Sequence, residues 1–267
     1  MCHQVAHPFC ILKVQVMILC TKIRCYDNFK GDKSMKFQLT SDGPFALVQL
    51  QMTKDEEIKI EKSSMVYHNG NVILEGRMNS TSKTVSVLGN MLKSVAKSVV
   101  SGESFFVTIV RSLSDEGEIN IAPPAIGSIK ELKVGQSQWF LNDGVFLACD
   151  QKVEYKMRKQ SLGKAVFGGT GGLFVMETSG EGSMLISSYG EIVEIYLDGK
   201  KKVVVDNRHV LAWESSLDYE IKIASGIVGF TTGEGLVNEF IGTGKVLIQT
   251  RNIASFATLL NSCRSNS

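Results

Sequence analysis

The chain has 267 residues, 43% of them hydrophobic and 21% charged, with a formal net charge of +2. That length and balance support a sizeable buried core in one large domain and exclude a disordered or polyionic chain. No apolar run approaches the ~20 residues of a spanning helix, and near-neutrality gives a nucleic-acid partner no support.

The first 34 residues differ in character from the rest. They hold four of the six cysteines (Cys2, Cys10, Cys20, Cys25), two of the four histidines (His3, His7), and five Lys/Arg against two Asp. A secretory signal fits poorly, because Lys13 and Gln15 interrupt the apolar stretch and no small-residue cleavage site follows. A zinc site fits poorly too, since these cysteines form no Cys-x-x-Cys pair. Lys30-Gly31-Asp32 is encodable as AAA-GGA-GAT, which resembles a bacterial ribosome-binding site just upstream of Met35. The reading expects residues 1–34 to be a non-native or disordered leader, 35–260 a single β domain starting at Met35, and 261–267 a polar tail.

From Met35 onward the pattern is β, starting with the strand Lys36-Phe37-Gln38-Leu39. A hairpin-like unit follows and recurs: Leu47-Val48-Gln49-Leu50, Ile129-Lys130-Glu131-Leu132 and Ile192-Val193-Glu194-Ile195 form its first half. Met65-Val66-Tyr67, Val145-Phe146-Leu147 and His209-Val210-Leu211 end its second. The turns between carry Lys54-Asp55-Glu56, Gly135-Gln136 and Asp198-Gly199, and Asp-Gly between apolar runs is a strong hairpin signal. Val85, Leu88, Met91, Leu92, Val95 and Val99 then recur at helical spacing, predicting one short helix that packs as a connector.

Glycine-led strands close each unit. Gly117-Glu118-Ile119-Asn120-Ile121 returns as Gly182-Ser183-Met184-Leu185-Ile186 and again as Gly244-Lys245-Val246-Leu247-Ile248. Each is preceded by a small-residue lead into another strand at Phe105, Phe174 and Leu236. Three blocks in the same order predict three internal pseudo-symmetric repeats. Apolar–polar alternation, as in Ile58-Lys59-Ile60 and Ile221-Lys222-Ile223, predicts one dry face per sheet. The expected fold is mainly β, double-stranded β-helix-like or a β-sandwich, with the one helix inserted in the first repeat.

Chemistry is sparse. Gly242-Thr243-Gly244-Lys245 lacks the Ser or Thr of a phosphate loop, with Val246 in its place, and reads as a β turn. Gly168-Gly169-Thr170-Gly171-Gly172 has no helix-forming sequence behind it and reads as a connection. His68 and His209 lack metal-ligand spacing and read as structural. Trp139 and Trp213 sit in apolar strands and read as core, as does Cys149. No catalytic residue, cofactor site or metal site is assigned, so the chain reads as non-enzymatic; the alternative, an unrecognised hydrolase, needs a pocket that gathers carboxylates or histidines. The polar runs Asp206-Asn207-Arg208-His209 and Gln249-Thr250-Arg251-Asn252 are the candidate contact surface, with Gly233, Glu234 and Asn238 of the glycine-rich block. In them Arg208 and Arg251 offer bidentate contacts to phosphate or carboxylate, against the plainer reading of salt-bridged strand ends.

The block from Gly233 to Asn252 resembles the signature of the altered inheritance of mitochondria protein 24 family, as do Ser188-Tyr189-Gly190-Glu191 and Val205 to Glu214. The resemblance runs from Met35 to about Leu260; one departure is Thr243, where relatives typically carry Pro. It implies a double-stranded β-helix-like fold related to tryptophan RNA-binding attenuation protein, with internal threefold duplication. The eukaryotic namesake is linked to mitochondrial inner-membrane organisation, yet residues 1–34 are no Arg- and Ser-rich import leader, and peripheral membrane association draws no support. The expectation is a cytoplasmic bacterial scaffold or binding module, a homo-oligomer with room for a protein partner. The alternative is a small-ligand- or RNA-binding regulator.

Overall fold

A computed structural model describes residues 34–79, 105–160, 174–224 and 235–265. The helix expected over Val85–Val99, the glycine run at 168–172, residues 1–33, Gly233 and Glu234 lie outside the described residues.

The described chain is mainly β. Its strands are β1 (Lys36–Leu39), β2 (Val48–Met52), β3 (Glu57–Glu61), β4 (Met65–His68), β5 (Val72–Asn79), β6 (Phe105–Ser112) and β7 (Gly117–Ile121). Then come β8 (Ile129–Val134), β9 (Trp139–Leu141), β10 (Phe146–Asp150), β11 (Val153–Lys159), β12 (Phe174–Gly180) and β13 (Gly182–Ser187). The last are β14 (Ile192–Asp198), β15 (Val203–Asp206), β16 (Val210–Glu214), β17 (Asp218–Ile223), β18 (Leu236–Ile241) and β19 (Thr243–Gln249), followed by helix α1 (Ile253–Ser265).

These strands form four open antiparallel sheets, none closed into a barrel: β1-β2-β7-β4, β5-β6-β3-β10-β13-β8, β11-β12-β9-β16-β19-β14 and β15-β18-β17. Three apolar clusters lie between successive sheets. Phe37, Leu50, Ile60, Ile119 and Leu147 belong to the first, Leu141, Phe146, Met184 and Leu211 to the second, and Phe140, Val210, Trp213 and Phe240 to the third.

The hairpin expectation fails in an instructive way. Asp198-Gly199 joins β14, which pairs with β19, to β15, which pairs with β18 in another sheet. Gly199 has φ of +83° but Asp198 is not left-handed, so the two-residue geometry of a type I′ turn is absent. The Asp198 carboxylate instead accepts the Lys200 N–H at 3.1 Å, turning the chain from one layer to the next. Local turn chemistry marks a reversal without choosing the strand's partner.

The expectation of one dry face also needs correction. β9, β10 and all but the last residue of β16 are buried on both faces. β10 carries a bulge between Phe146 and Ala148, and β16 one between Val210 and Ala212. A bulge puts two consecutive residues on one side: Leu147 and Ala148 face the first cluster, whereas Phe146 and Cys149 face the second. Leu211 and Ala212 face the second, whereas Val210 and Trp213 face the third. β4 bears the same bulge between Met65 and Tyr67. The core reading of Trp139, Trp213 and Cys149 holds, at 5%, 0% and 0% exposure.

A buried carboxylate ties the layers. Asp150 accepts the backbone N–H of Met35 and of Ser183, each at 2.6 Å. Burial raises its pKa and these two bonds oppose the rise. Gly182, at φ of +138°, lies so close that an added Cβ would meet the Asp150 carboxylate.

Glu61 is less well served. Burial, then the charge of Asp143, lifts its pKa from 4.5 to about 7, and Oε2 has no hydrogen-bond partner. A folded-state pKa above the unfolded one means the contribution is fully present below 4.5 and lost as pH rises through about 7. Chemical unfolding across that window should show stability falling with pH in the parent. Glu61→Gln should flatten the slope and raise stability by ~1 kcal/mol at mildly alkaline pH, a figure reduced for solvent screening.

Candidate functional site

Two of the segments singled out by sequence converge. Asp206 ends β15, its carboxylate accepting the Arg208 N–H at 2.8 Å and its carbonyl the His209 N–H at 2.9 Å. The compact turn that results delivers His209 to the end of β19. There the Gln249 N–H donates to the His209 carbonyl at 2.8 Å, and His209 Nδ1 lies 2.7 Å from the Gln249 carbonyl.

A carbonyl only accepts, so Nδ1 carries the imidazole proton and Nε2 presents its lone pair. Asn252 Nδ2 lies 3.1 Å from that Nε2 and donates to it. Its other amide atom, Oδ1, accepts the Ser255 N–H at 2.8 Å and so caps α1. Gln249 completes the knot: Nε2 donates to the Arg208 carbonyl at 3.0 Å and Oε1 accepts the Tyr189 N–H at 2.9 Å. His209, Gln249 and Asn252 thus clamp β16, β19 and the start of α1, which the Tyr189–Phe256 ring contact supports at 5.9 Å.

Arg208 and Arg251 stay exposed beside this knot. Neither makes an ion pair with a carboxylate among the described residues; Arg251 Nη1 donates to the Thr250 carbonyl at 3.0 Å. Gly190, at φ of +81°, meets Thr250 and Arg251 so tightly that an added Cβ would lie 2.5 Å from Thr250 Oγ1.

Asn238 goes elsewhere. It lies in β18 between Val205 and Ile221, fully buried, with neither amide atom hydrogen-bonded. It is therefore no part of the exposed surface. Asn142 is the residue the sequence reading missed: its amide donates to the carbonyls of Asn207 and Val210, at 3.3 and 2.8 Å. Its place in Asn142-Asp143-Gly144, opposite Asp206-Asn207-Arg208 of the later block, was the available signal.

Two open polar grooves lie apart from the knot. One of about 370 Å³ is lined by Lys36, Asn69, Asp115 and Glu118 among others, and one of about 330 Å³ by Ser128, Lys130, Glu131 and Glu194. Lys130 and Glu194 pair at 2.5 Å across the second, which lowers the Glu194 pKa. Among the described residues no three His, Cys, Asp or Glu side chains converge as metal ligands would, and no helix is long and apolar enough to cross a membrane.

Asn252→Ala should fray α1 and lower stability by about 1 kcal/mol, read by circular dichroism and thermal unfolding. Asn238→Leu should do the reverse, raising stability by roughly 1–2 kcal/mol because it removes two buried, unpaired polar atoms; a lower melting temperature would show that the amide has a hidden partner.

Comparison with known proteins agrees with the family resemblance. The profile described as "Mitochondrial biogenesis AIM24" matches residues 37–251. An uncharacterised protein of Streptococcus pyogenes serotype M6 is 42% identical over 231 residues, 86% of this chain and 91% of its own. A crystal structure of a Streptococcus pyogenes protein superposes with a TM-score of 0.71 at 38% identity, over 85% of this chain and 99% of that one. The chain belongs to the AIM24 family.

Proposed function

We propose that this protein is a non-enzymatic β-repeat scaffold or binding module that associates with itself. The units are β2–β7, β8–β13 and β14–β19, three pseudo-symmetric copies of a double-stranded β-helix-like sandwich. What carries the reading is a pairing scheme that recurs. In each unit the sixth strand pairs with the first and third, and the fifth with the second and fourth: β7 with β2 and β4, β13 with β8 and β10, β19 with β14 and β16. Likewise β6 takes β3 and β5, β12 takes β9 and β11, and β18 takes β15 and β17.

Such a module is built to be joined. Units connect through strand edges, β3 to β10 and β9 to β16, so recognition by edge pairing is already the chain's own means of assembly. A cytoplasmic setting belongs to the same reading, supported by the free thiols of Cys149 and Cys263. Light scattering across a concentration series tests it: masses above one protomer are expected, and a strict monomer throughout would remove self-association.

A second reading, a small-ligand- or RNA-binding regulator, draws on one observation, the exposed Arg208 and Arg251, which pair with no carboxylate among the described residues. It predicts salt-sensitive retention on mixed RNA or a phosphate-bearing matrix, lost in Arg208→Ala/Arg251→Ala. No retention at low salt would discard it.

A further inference from the structure

Taking the three-unit reading as its basis, we infer that a second copy of this chain docks head-to-tail, the edge of β4 pairing antiparallel with the edge of β15. The two internal joints supply the template. In the first, Ile60 opposes Ala148 and Lys59 opposes Cys149; in the second, Leu141 opposes Ala212 and Phe140 opposes Trp213. Each joint brings the second strand of one unit to the bulged third strand of the next. β15 is the second strand of the last unit and β4 the bulged third strand of the first, and each ends its sheet with that edge unpaired by any strand among the described residues. The same register sets Val205 opposite Tyr67 and Val204 opposite His68 of the next copy.

Side chains on both edges fit this use. Leu147 and Ala148 fill the core of the unit before them, as do Leu211 and Ala212, all at 0–1% exposure. Val66 and Tyr67 hold the matching bulge positions with no unit before them among the described residues, at 52% and 50%. Val204, matching the buried Phe140, is 52% exposed. Asn120, where the other units carry Leu185 and Leu247, is buried behind Tyr67 with its carbonyl oxygen lacking a donor.

Charge separates these edges from the others. Eight strands end the four sheets. Seven carry formal charges, which discourage pairing, for example Lys130-Glu131 in β8 and Lys156 with Arg158 in β11, but β15 carries only Asp206 at its end and β4 carries none. In β4 and β15 the first three residues are Met65-Val66-Tyr67 and Val203-Val204-Val205. A joint between two different edges is heterologous, so copies add in one direction and close as a ring or extend as a filament.

The test uses Val204→Lys, which spoils only the β15 edge, and Tyr67→Lys, which spoils only the β4 edge, each checked for native circular dichroism. Sedimentation should show wild-type masses at multiples of the 29.3 kDa protomer, each variant alone at one protomer, and an equimolar mixture at a 1:1 dimer through the intact edges that remain. If lysine unfolds either chain, Val204→Thr and Tyr67→Thr replace it, with loss of assembly again expected. A monomeric wild type removes both self-association and this joint. A wild type that assembles while both variants keep its full size removes the joint alone, and so does a mixture that stays monomeric.

Discussion

Two bulged strands hold this molecule together. β10 and β16 lie inside their sheets, paired along both edges, and each sends side chains into two separate cores. A regular strand alternates its faces residue by residue. The bulge breaks that alternation and lets Leu147-Ala148 and Leu211-Ala212 act as two-residue plugs for the preceding core. Without the extra residue, Leu147 and Ala148 would point to opposite sides, and the interleaving of the sheets would slip by one position.

The polar residues follow from that architecture. Layered sheets leave turns and strand ends that need their backbone groups satisfied. After its last strand the chain must also hand over from β19 to α1. His209, Gln249 and Asn252 do this with directed bonds among ring nitrogens, amide atoms and main-chain carbonyls. A dense polar run that reads as a recognition surface is therefore largely occupied in holding strand ends, and what it leaves outward is the pair of arginines.

Where an open sheet ends, it presents the same backbone edge that its interior strands use for pairing. Natural sheets blunt such edges with charge or cover them, and β1 covers β2 here. The apolar β4 and β15 edges are neither charged through their length nor covered by a strand among the described residues.

Much of the strand inventory was legible in the sequence. The glycine-led blocks at 117, 182 and 244 mark β7, β13 and β19, and the core placement of Trp139, Trp213 and Cys149 followed from apolar context. These signals are local, set by backbone freedom at glycine and by the two-residue period of side chains. The convergence of residues 206–209 with 249–252 was visible only as two polar runs, and their bonding was not. Which strand pairs with which was also decided by tertiary structure: Asp198-Gly199 reads as a hairpin yet sends β14 and β15 into different sheets. A turn motif fixes the chain's reversal over a few residues, whereas a strand's partner is chosen by which distant apolar face it can bury. That choice also drew Asn238 out of the surface and into the interior, since its neighbours Val205 and Phe240 face the third core. By itself, then, the sequence determined that there would be strands and turns; only packing decided the partners, because burial is a property of surfaces that lie far apart in the chain.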